Sequence, residues 1–302
     1  MGDALAMLIA RQARWVLVAG LVAGIAFPSV AAVLTPWLRW MVLAILALTA
    51  FRIGPGLVAG LGRVAGRDLS LVLGLQLVLP LLVIAVAGIA GVSGHPLTLS
   101  LVLMLAAPSI MSAPALCQML GGTGARAMGL LVLGSIALPV TVVPVLWLAF
   151  GGAGFVEAVR AALLLALIVG GAVGAGLVLR HLSGAVGARA LVRVDAANAL
   201  LLAVFVVALM PAVAATWSES PVRLLSWLGA AFAANIGVQL VAWRWSGSVD
   251  VAVVAGNRNM SLFLVALDPV TMAPVLAFLG CYQIPMFLTP LLMARVYQKE
   301  RG

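Results

Sequence analysis

Runs of about twenty apolar residues, the length needed to cross a bilayer, follow one another almost without relief along this chain. They fall at roughly 15–34, 37–53, 69–92, 97–119, 127–150, 158–180, 195–216, 222–244, 249–267 and 270–295. Inside hydrocarbon every backbone N–H and C=O must find a partner within the protein, which restricts spanning segments to helices or closed barrels. The predicted fold class is therefore an all-α polytopic membrane protein with ten transmembrane helices. A soluble domain is excluded, because with 65% hydrophobic residues its surface would have to be apolar too. The breaks between runs carry turn or charge signals, among them Gly54-Pro55-Gly56, Ser93-Gly94-His95-Pro96, Gly121-Gly122-Thr123-Gly124 and Asp268-Pro269. Arg11 and Arg14 before the first run, with Pro28 to Ala32 after it, mimic a secretory signal. The first helix is nevertheless expected to be retained, because removing it would spoil the distribution of charge described next.

The net charge of +9 does not point to nucleic acid, since the basic residues stand singly between apolar runs rather than in a groove. With the N-terminus inside, the inner segments hold Arg11, Arg14, Arg52, Arg63, Arg67, Arg126, Arg180, Arg189, Arg193, Arg244, Arg295, Lys299 and Arg301. The outer segments hold only Arg39, Arg160 and Arg223. So one-sided a division predicts an integral protein of a bacterial inner membrane with both termini in the cytoplasm. Ten spans also divide into five and five, as one transporter domain with repeats at about 12–150 and 158–296. Five is odd, so a duplicated second half lies inverted, the usual plan of secondary transporters. The fourth run is interrupted at Ala107-Pro108-Ser109-Ile110-Met111-Ser112-Ala113-Pro114 and the ninth at Gly256-Asn257-Arg258-Asn259. These are equivalent positions in the two halves, and both interruptions predict discontinuous helices.

Arg258 is the one basic residue inside a span. A guanidinium at bilayer depth costs about 2.5–3.5 kcal/mol on insertion scales, so it must face protein, water or a ligand. Gly256, Asn257 and Asn259 around it weaken the helix and free backbone groups at the same depth. Ser109 and Ser112, three residues apart, are expected to share a helix face. Asn235 and Gln239 in the eighth run are one turn apart, and Gln76 is a lone amide in the third. Asp250, at the start of the ninth run, is read as a cap of its own helix. Cys117 and Cys281 lie inside apolar runs and suggest no disulfide framework. His95 and His181 lie in different loops, so no metal site is expected.

Several motifs, in order along the chain, resemble those of the bile acid:sodium symporter family. They are Gln76-Leu77-Val78-Leu79-Pro80 in the third run, Ala107-Pro108 through Gly121-Gly122 in the fourth, and Ser135, Pro139, Thr141 and Pro144 in the fifth. Asn235-Ile236-Gly237 in the eighth and Gly256-Asn257-Arg258-Asn259 in the ninth complete the set. The resemblance implies a panel domain and a core domain, with sodium held behind the crossing of helices four and nine and an organic anion in the adjoining cavity. It also implies a departure from the sodium pattern. The family's serine-asparagine pair falls on Ala113 and Pro114, its acidic ligand on Val254, and its signature glutamine on Arg258. Only Gln76 and Ser135 match sodium-site positions with side chains able to bind an ion.

The expectation is thus a secondary transporter of small or amphipathic organic anions, in which Arg258 supplies fixed positive charge and the sodium sites are degraded. Substrate contacts are expected from Arg258, Asn257, Asn259, Ser109, Ser112 and Asn235, and ion contacts, if any, from Gln76 and Ser135. No cofactor is expected, and sodium is doubted. The partners are the organic anion and the lipid bilayer, with neither nucleic acid nor an obligatory protein partner. Two other readings share the fold: an arsenite efflux carrier, for which Cys117 would be the thiol, and an ordinary sodium-coupled symporter. An enzyme is not expected, since the runs hold no nucleophile paired with a base and no His-Glu-x-x-His.

Overall fold

The computed structural model describes residues 2–56, 66–152 and 154–298. Arg63, Lys299 and Arg301, counted above among the inner basic residues, lie outside the described residues. In chain order the helices are α1 (Gly2–Arg11) and α2 (Ala13–Ala26), α3 (Pro28–Ile53) and α4 (Gly66–Ile89), α5 (Pro96–Ala106) and α6 (Ala113–Met119). They continue with α7 (Ala125–Ala149), α8 (Phe155–Leu182), α9 (Ala188–Glu219) and α10 (Pro221–Ser246). The last three are α11 (Val249–Gly256), α12 (Phe263–Ala266) and α13 (Pro269–Tyr297). Seven of them, α3, α4, α7, α8, α9, α10 and α13, are long and apolar enough to cross a membrane, at 24 to 32 residues each. At about 1.5 Å of rise per residue each exceeds the roughly 30 Å of hydrocarbon in a bilayer. Their outer faces are apolar as well: Ile89 is 90% exposed and Val140 77%, which only a lipid surround tolerates over so much surface. The chain is an all-α integral membrane protein.

Three of the predicted runs are not single long helices, and each has a local cause. The first was expected to reach residue 34, but α2 stops at Ala26 and α3 starts at Pro28. Proline is favoured at the first helical position, where its missing N–H is of no consequence. The Thr35-Pro36-Trp37 stretch, expected to separate two spans, is only a 3-10 turn inside α3. The fourth and ninth runs are the two interrupted ones described below.

The chain forms two compact units, each assembled from two separate stretches: residues 1–55 with 167–224, and residues 56–166 with 225–302. In the first unit α2 and α3 pack against α9, and the second half of α8 packs against α3. Gly176 makes that last contact possible, since a Cβ there would lie 2.2 Å from the Ala47 carbonyl oxygen. Thr35 Oγ1 donates to the Ala208 carbonyl at 2.9 Å, and Arg52 pairs with Asp195 at 2.6 Å.

In the second unit α11 is the centre, with every one of its residues buried. It packs against α6, α7 and α10. Leu71 and Val72 of α4, Leu130 of α7 and Met293 of α13 close the same core. Two helices of this unit, α4 and α10, contain a five-residue π turn, at Gly74–Val78 and Ala233–Gly237. Each turn carries a buried amide at its third position, Gln76 and Asn235. α7 holds internal prolines five residues apart at Pro139 and Pro144, and the Leu276–Gln298 stretch that ends α13 holds them at Pro285 and Pro290.

Candidate functional site

The site is built where α5 and α11 end. Ala107 leaves the helix in an extended conformation, as residues before proline do, and the chain resumes helix only at Ala113. Asn257 likewise is extended, and regular turns restart at Met260. The two breaks meet as an isolated antiparallel bridge between Ser109 and Arg258. Ile110 N donates to the Asn257 carbonyl at 3.0 Å, and Asn259 N donates to the Pro108 carbonyl at 2.8 Å. Backbone groups freed by each interruption are thereby satisfied by the other, as a buried break requires.

Arg258 lies at this bridge, 3% exposed. Its Nε donates to the Ala255 carbonyl at 2.8 Å and its Nη1 to the Ala107 carbonyl at 3.0 Å. These carbonyls belong to the carboxyl-terminal ends of α11 and α5, the negative poles of the two helix dipoles. Among the described residues the guanidinium has no carboxylate partner, and its Nη2 is buried with no hydrogen bond. The Arg258 backbone N–H donates to Tyr282 Oη at 3.0 Å, and that hydroxyl in turn donates to the Gly256 carbonyl.

Behind the bridge runs a buried polar network linking α10, the α11 break and α13. Asn235 Nδ2 donates to the Gly256 carbonyl at 2.8 Å and reaches Asn257 Oδ1 at 3.3 Å. Thr289 Oγ1 lies 3.2 Å from Asn257 Oδ1 and 3.3 Å from Asn235 Oδ1. Gln239 Nε2 donates to Asn235 Oδ1 at 2.7 Å, and Tyr297 Oη donates to Gln239 Oε1 at 3.1 Å. Asn257 Nδ2 returns to the Val253 carbonyl of its own helix at 3.0 Å.

Of the residues expected at the site, Arg258, Asn257, Ser109 and Asn235 come together and are buried. Ser109 Oγ donates to the Asn257 carbonyl at 3.0 Å. Asn259 is half-buried beside them, its Oδ1 accepting from Ser261 Oγ at 2.6 Å. Ser112 is exposed. The shared helix face expected of Ser109 and Ser112 does not exist, because both fall in the non-helical stretch between α5 and α6. Gln76 is 1% exposed and neither amide atom has a hydrogen-bond partner; it lies against Gly134 of α7. Ser135 is exposed and its hydroxyl donates to Leu131 of its own helix at 2.8 Å. Gln283, buried on α13, also has an unpartnered Oε1. Ala113, Cys117 and Val254 are packed in the apolar core. Among the described residues no three His, Cys, Asp or Glu side chains gather as metal ligands would.

The role expected of Asp250 needs correction. Ser248 is the N-cap of α11, accepting from Val251 N, while the buried Asp250 carboxylate serves another helix. It accepts from Thr123 Oγ1 at 3.0 Å, Gly124 N at 3.3 Å and Ala127 N at 3.4 Å, at the start of α7. Gly124 there has φ +70°, a conformation natural only to glycine. Tyr282 and Thr289 were also missed. Their one signal, shared with Gln283, was being polar side chains in a mostly apolar last run, with nothing in the sequence to show which way they point.

No protein-family model and no curated protein sequence matches the chain.

Proposed function

We propose that the chain is a secondary transporter of small or amphipathic organic anions that works by alternating access without sodium, with Arg258 as a built-in cation. The observation that carries this reading is the guanidinium itself, which bonds to the last carbonyls of two broken helices and, among the described residues, to no carboxylate. Converging carbonyl ends of broken helices are where coupled carriers hold their ions. A covalently fixed cation in that place makes a dissociable one unnecessary. The two breaks also present helix ends of opposite sign, whose half-charges roughly cancel, so the guanidinium leaves the site net positive. Guanidinium suits a carboxylate, which it can meet in a fork, and Nη2 is still without a partner.

Sodium prefers several hard oxygens, carboxylate among them. The apolar packing of Ala113 and Val254, and the exposed Ser135 hydroxyl bonded within its own helix, support a carrier without it. The enclosed position of Cys117 favours organic anions over arsenite. Paired features support two inverted five-helix repeats within ten membrane segments: π turns with buried amides in α4 and α10, breaks after α5 and α11, and proline pairs in α7 and α13. The arginine distribution supports cytoplasmic termini and a bacterial inner membrane, and the order of motifs supports a divergent kinship to bile acid:sodium symporters.

The test is uptake of labelled pyruvate and cholate into proteoliposomes with sodium replaced by choline. Uptake that persists in choline and is lost in Arg258→Gln is the expected result. Strict sodium dependence, or full activity in Arg258→Gln, refutes the reading.

A further inference from the structure

The geometry points to a binding site for one anionic phospholipid in the groove between α10 and α13, its acyl chain on the apolar floor and its phosphate between Arg244 and Arg295. The groove holds about 440 Å³ and is lined by Phe232, Ile236, Leu240, Leu292, Met293 and Val296, with Ala233 and Gly237. That volume falls within the roughly 300–1,000 Å³ of ligand-binding clefts. The π turn at Ala233–Gly237 runs along it, and two of the turn's lining positions, Ala233 and Gly237, have little or no side chain.

The charge at its mouth follows from helix periodicity. On α10 the lining positions Phe232, Ile236 and Leu240 are four residues apart, and the next in that row is Arg244. On α13 Arg295 follows Leu292 by three and adjoins Val296. The two helices are clasped at this same end, where the Trp243 and Tyr297 rings meet edge to face at 5.6 Å. Arg244 and Arg295 therefore flank one mouth. Both are exposed, and among the described residues neither forms an ion pair. Trp245, 75% exposed beside Arg244, is a residue typical of the membrane–water boundary. An apolar cleft opening onto two exposed guanidiniums at headgroup depth matches one chemistry, an acyl chain ending in a phosphodiester. Basic pockets between membrane helices bind such headgroups. This inference needs only that the chain spans a membrane and is independent of what it transports.

The full chain, purified in neutral detergent, is titrated with phosphatidylglycerol or phosphatidylcholine in mixed micelles while thermal unfolding and bound lipid (by native mass spectrometry) are followed. Phosphatidylglycerol should stabilise saturably with one tightly retained molecule, and phosphatidylcholine should not. Each arginine near a membrane surface is worth about fivefold in binding, so Arg244→Gln with Arg295→Gln should weaken phosphatidylglycerol about 25-fold. Leu240→Trp, which fills the floor without touching the charge, should weaken it as well. Equal response to the two lipids, a double variant that binds like the parent, or the same stabilisation by glycerol 3-phosphate alone would each overturn the assignment. The double variant changes only exposed side chains, so the test stands even if Leu240→Trp fails to fold.

Discussion

Gly122→Ala isolates the buried contact that ties α11 to the start of α7. A Cβ at position 122 would lie 2.3 Å from Asp250 Oδ1, 3.1 Å from the Cys117 carbonyl oxygen and 3.3 Å from Cys117 Cβ. The first distance is impossible, so the carboxylate must move. Yet it is 4% exposed and held by Thr123 Oγ1, Gly124 N and Ala127 N. Hydrogen bonds to a charged group contribute about 1.5–3 kcal/mol each, and stripping a buried charge of its partners costs about 3–5 kcal/mol. Displacement that sacrifices two of the three bonds is thus expected to cost about 3 kcal/mol. At roughly 2 °C per kcal/mol for a chain of this size, Tm falls by about 6 °C, measurable by fluorescence-detected unfolding of the detergent-solubilised protein. Gly229→Ala is the matched control, because that glycine is helical and a Cβ there meets nothing within 4 Å. It should leave Tm unchanged or raise it slightly, as alanine favours helix by about 0.5–1 kcal/mol. In an Asp250→Ala background Gly122→Ala should cost far less, since the clashing oxygen is gone. A Gly122→Ala protein as stable as the Gly229→Ala control, or full additivity with Asp250→Ala, would refute the carboxylate's role.

Thr289→Val keeps shape but removes the hydroxyl shared by Asn235, Asn257 and Gln239; a loss of about 1–2 kcal/mol should appear as a lowered Tm, while Thr98→Val, which loses one bond of a half-buried hydroxyl to the Val92 carbonyl, should cost less. Gly176→Leu drives a side chain into the Ala47 carbonyl and should abolish recovery of monodisperse protein, whereas Gly171→Leu, where a Cβ meets nothing within 4 Å, should not. Asp268 caps α13 outside the membrane segments, and the Thr271 hydroxyl and N–H bonded to its carboxylate hold it below the usual carboxylate range. Its folded pKa lies under its unfolded one, so its contribution is complete above the unfolded value and disappears as pH falls through the folded value. Stability measured against pH should therefore drop in acid, and Asp268→Asn should flatten that part of the profile.

How much of this was legible in the sequence depends on the range of the cause. Apolar runs, proline-marked interruptions and a charge at bilayer depth are local, and the long helices and both breaks followed from them. The break at Pro108 and the weak helix at Gly256-Asn257 fell where composition placed them. What escaped depended on partners far along the chain. Asp250 reads as a cap of α11, yet its carboxylate bonds Thr123 and Gly124, 127 and 126 residues away. The π turns at Gln76 and Asn235 leave no trace in a run that is apolar on every side. Tyr282 and Thr289 became part of the site only because α13 turns them inward. Ser109 and Ser112 were paired by a helical spacing that the interruption itself cancels.

The partners of the Arg258 guanidinium are peptide oxygens, and peptide oxygens do not mutate. A side-chain salt bridge lets a damaged member be restored by reversing its mate, and leaves correlated changes in a lineage. Arg258 offers neither. A screen for second-site suppressors of an Arg258 lesion should return no compensating charge swap, and covariation across descendants of this gene should be silent at the very residue on which the two interruptions close.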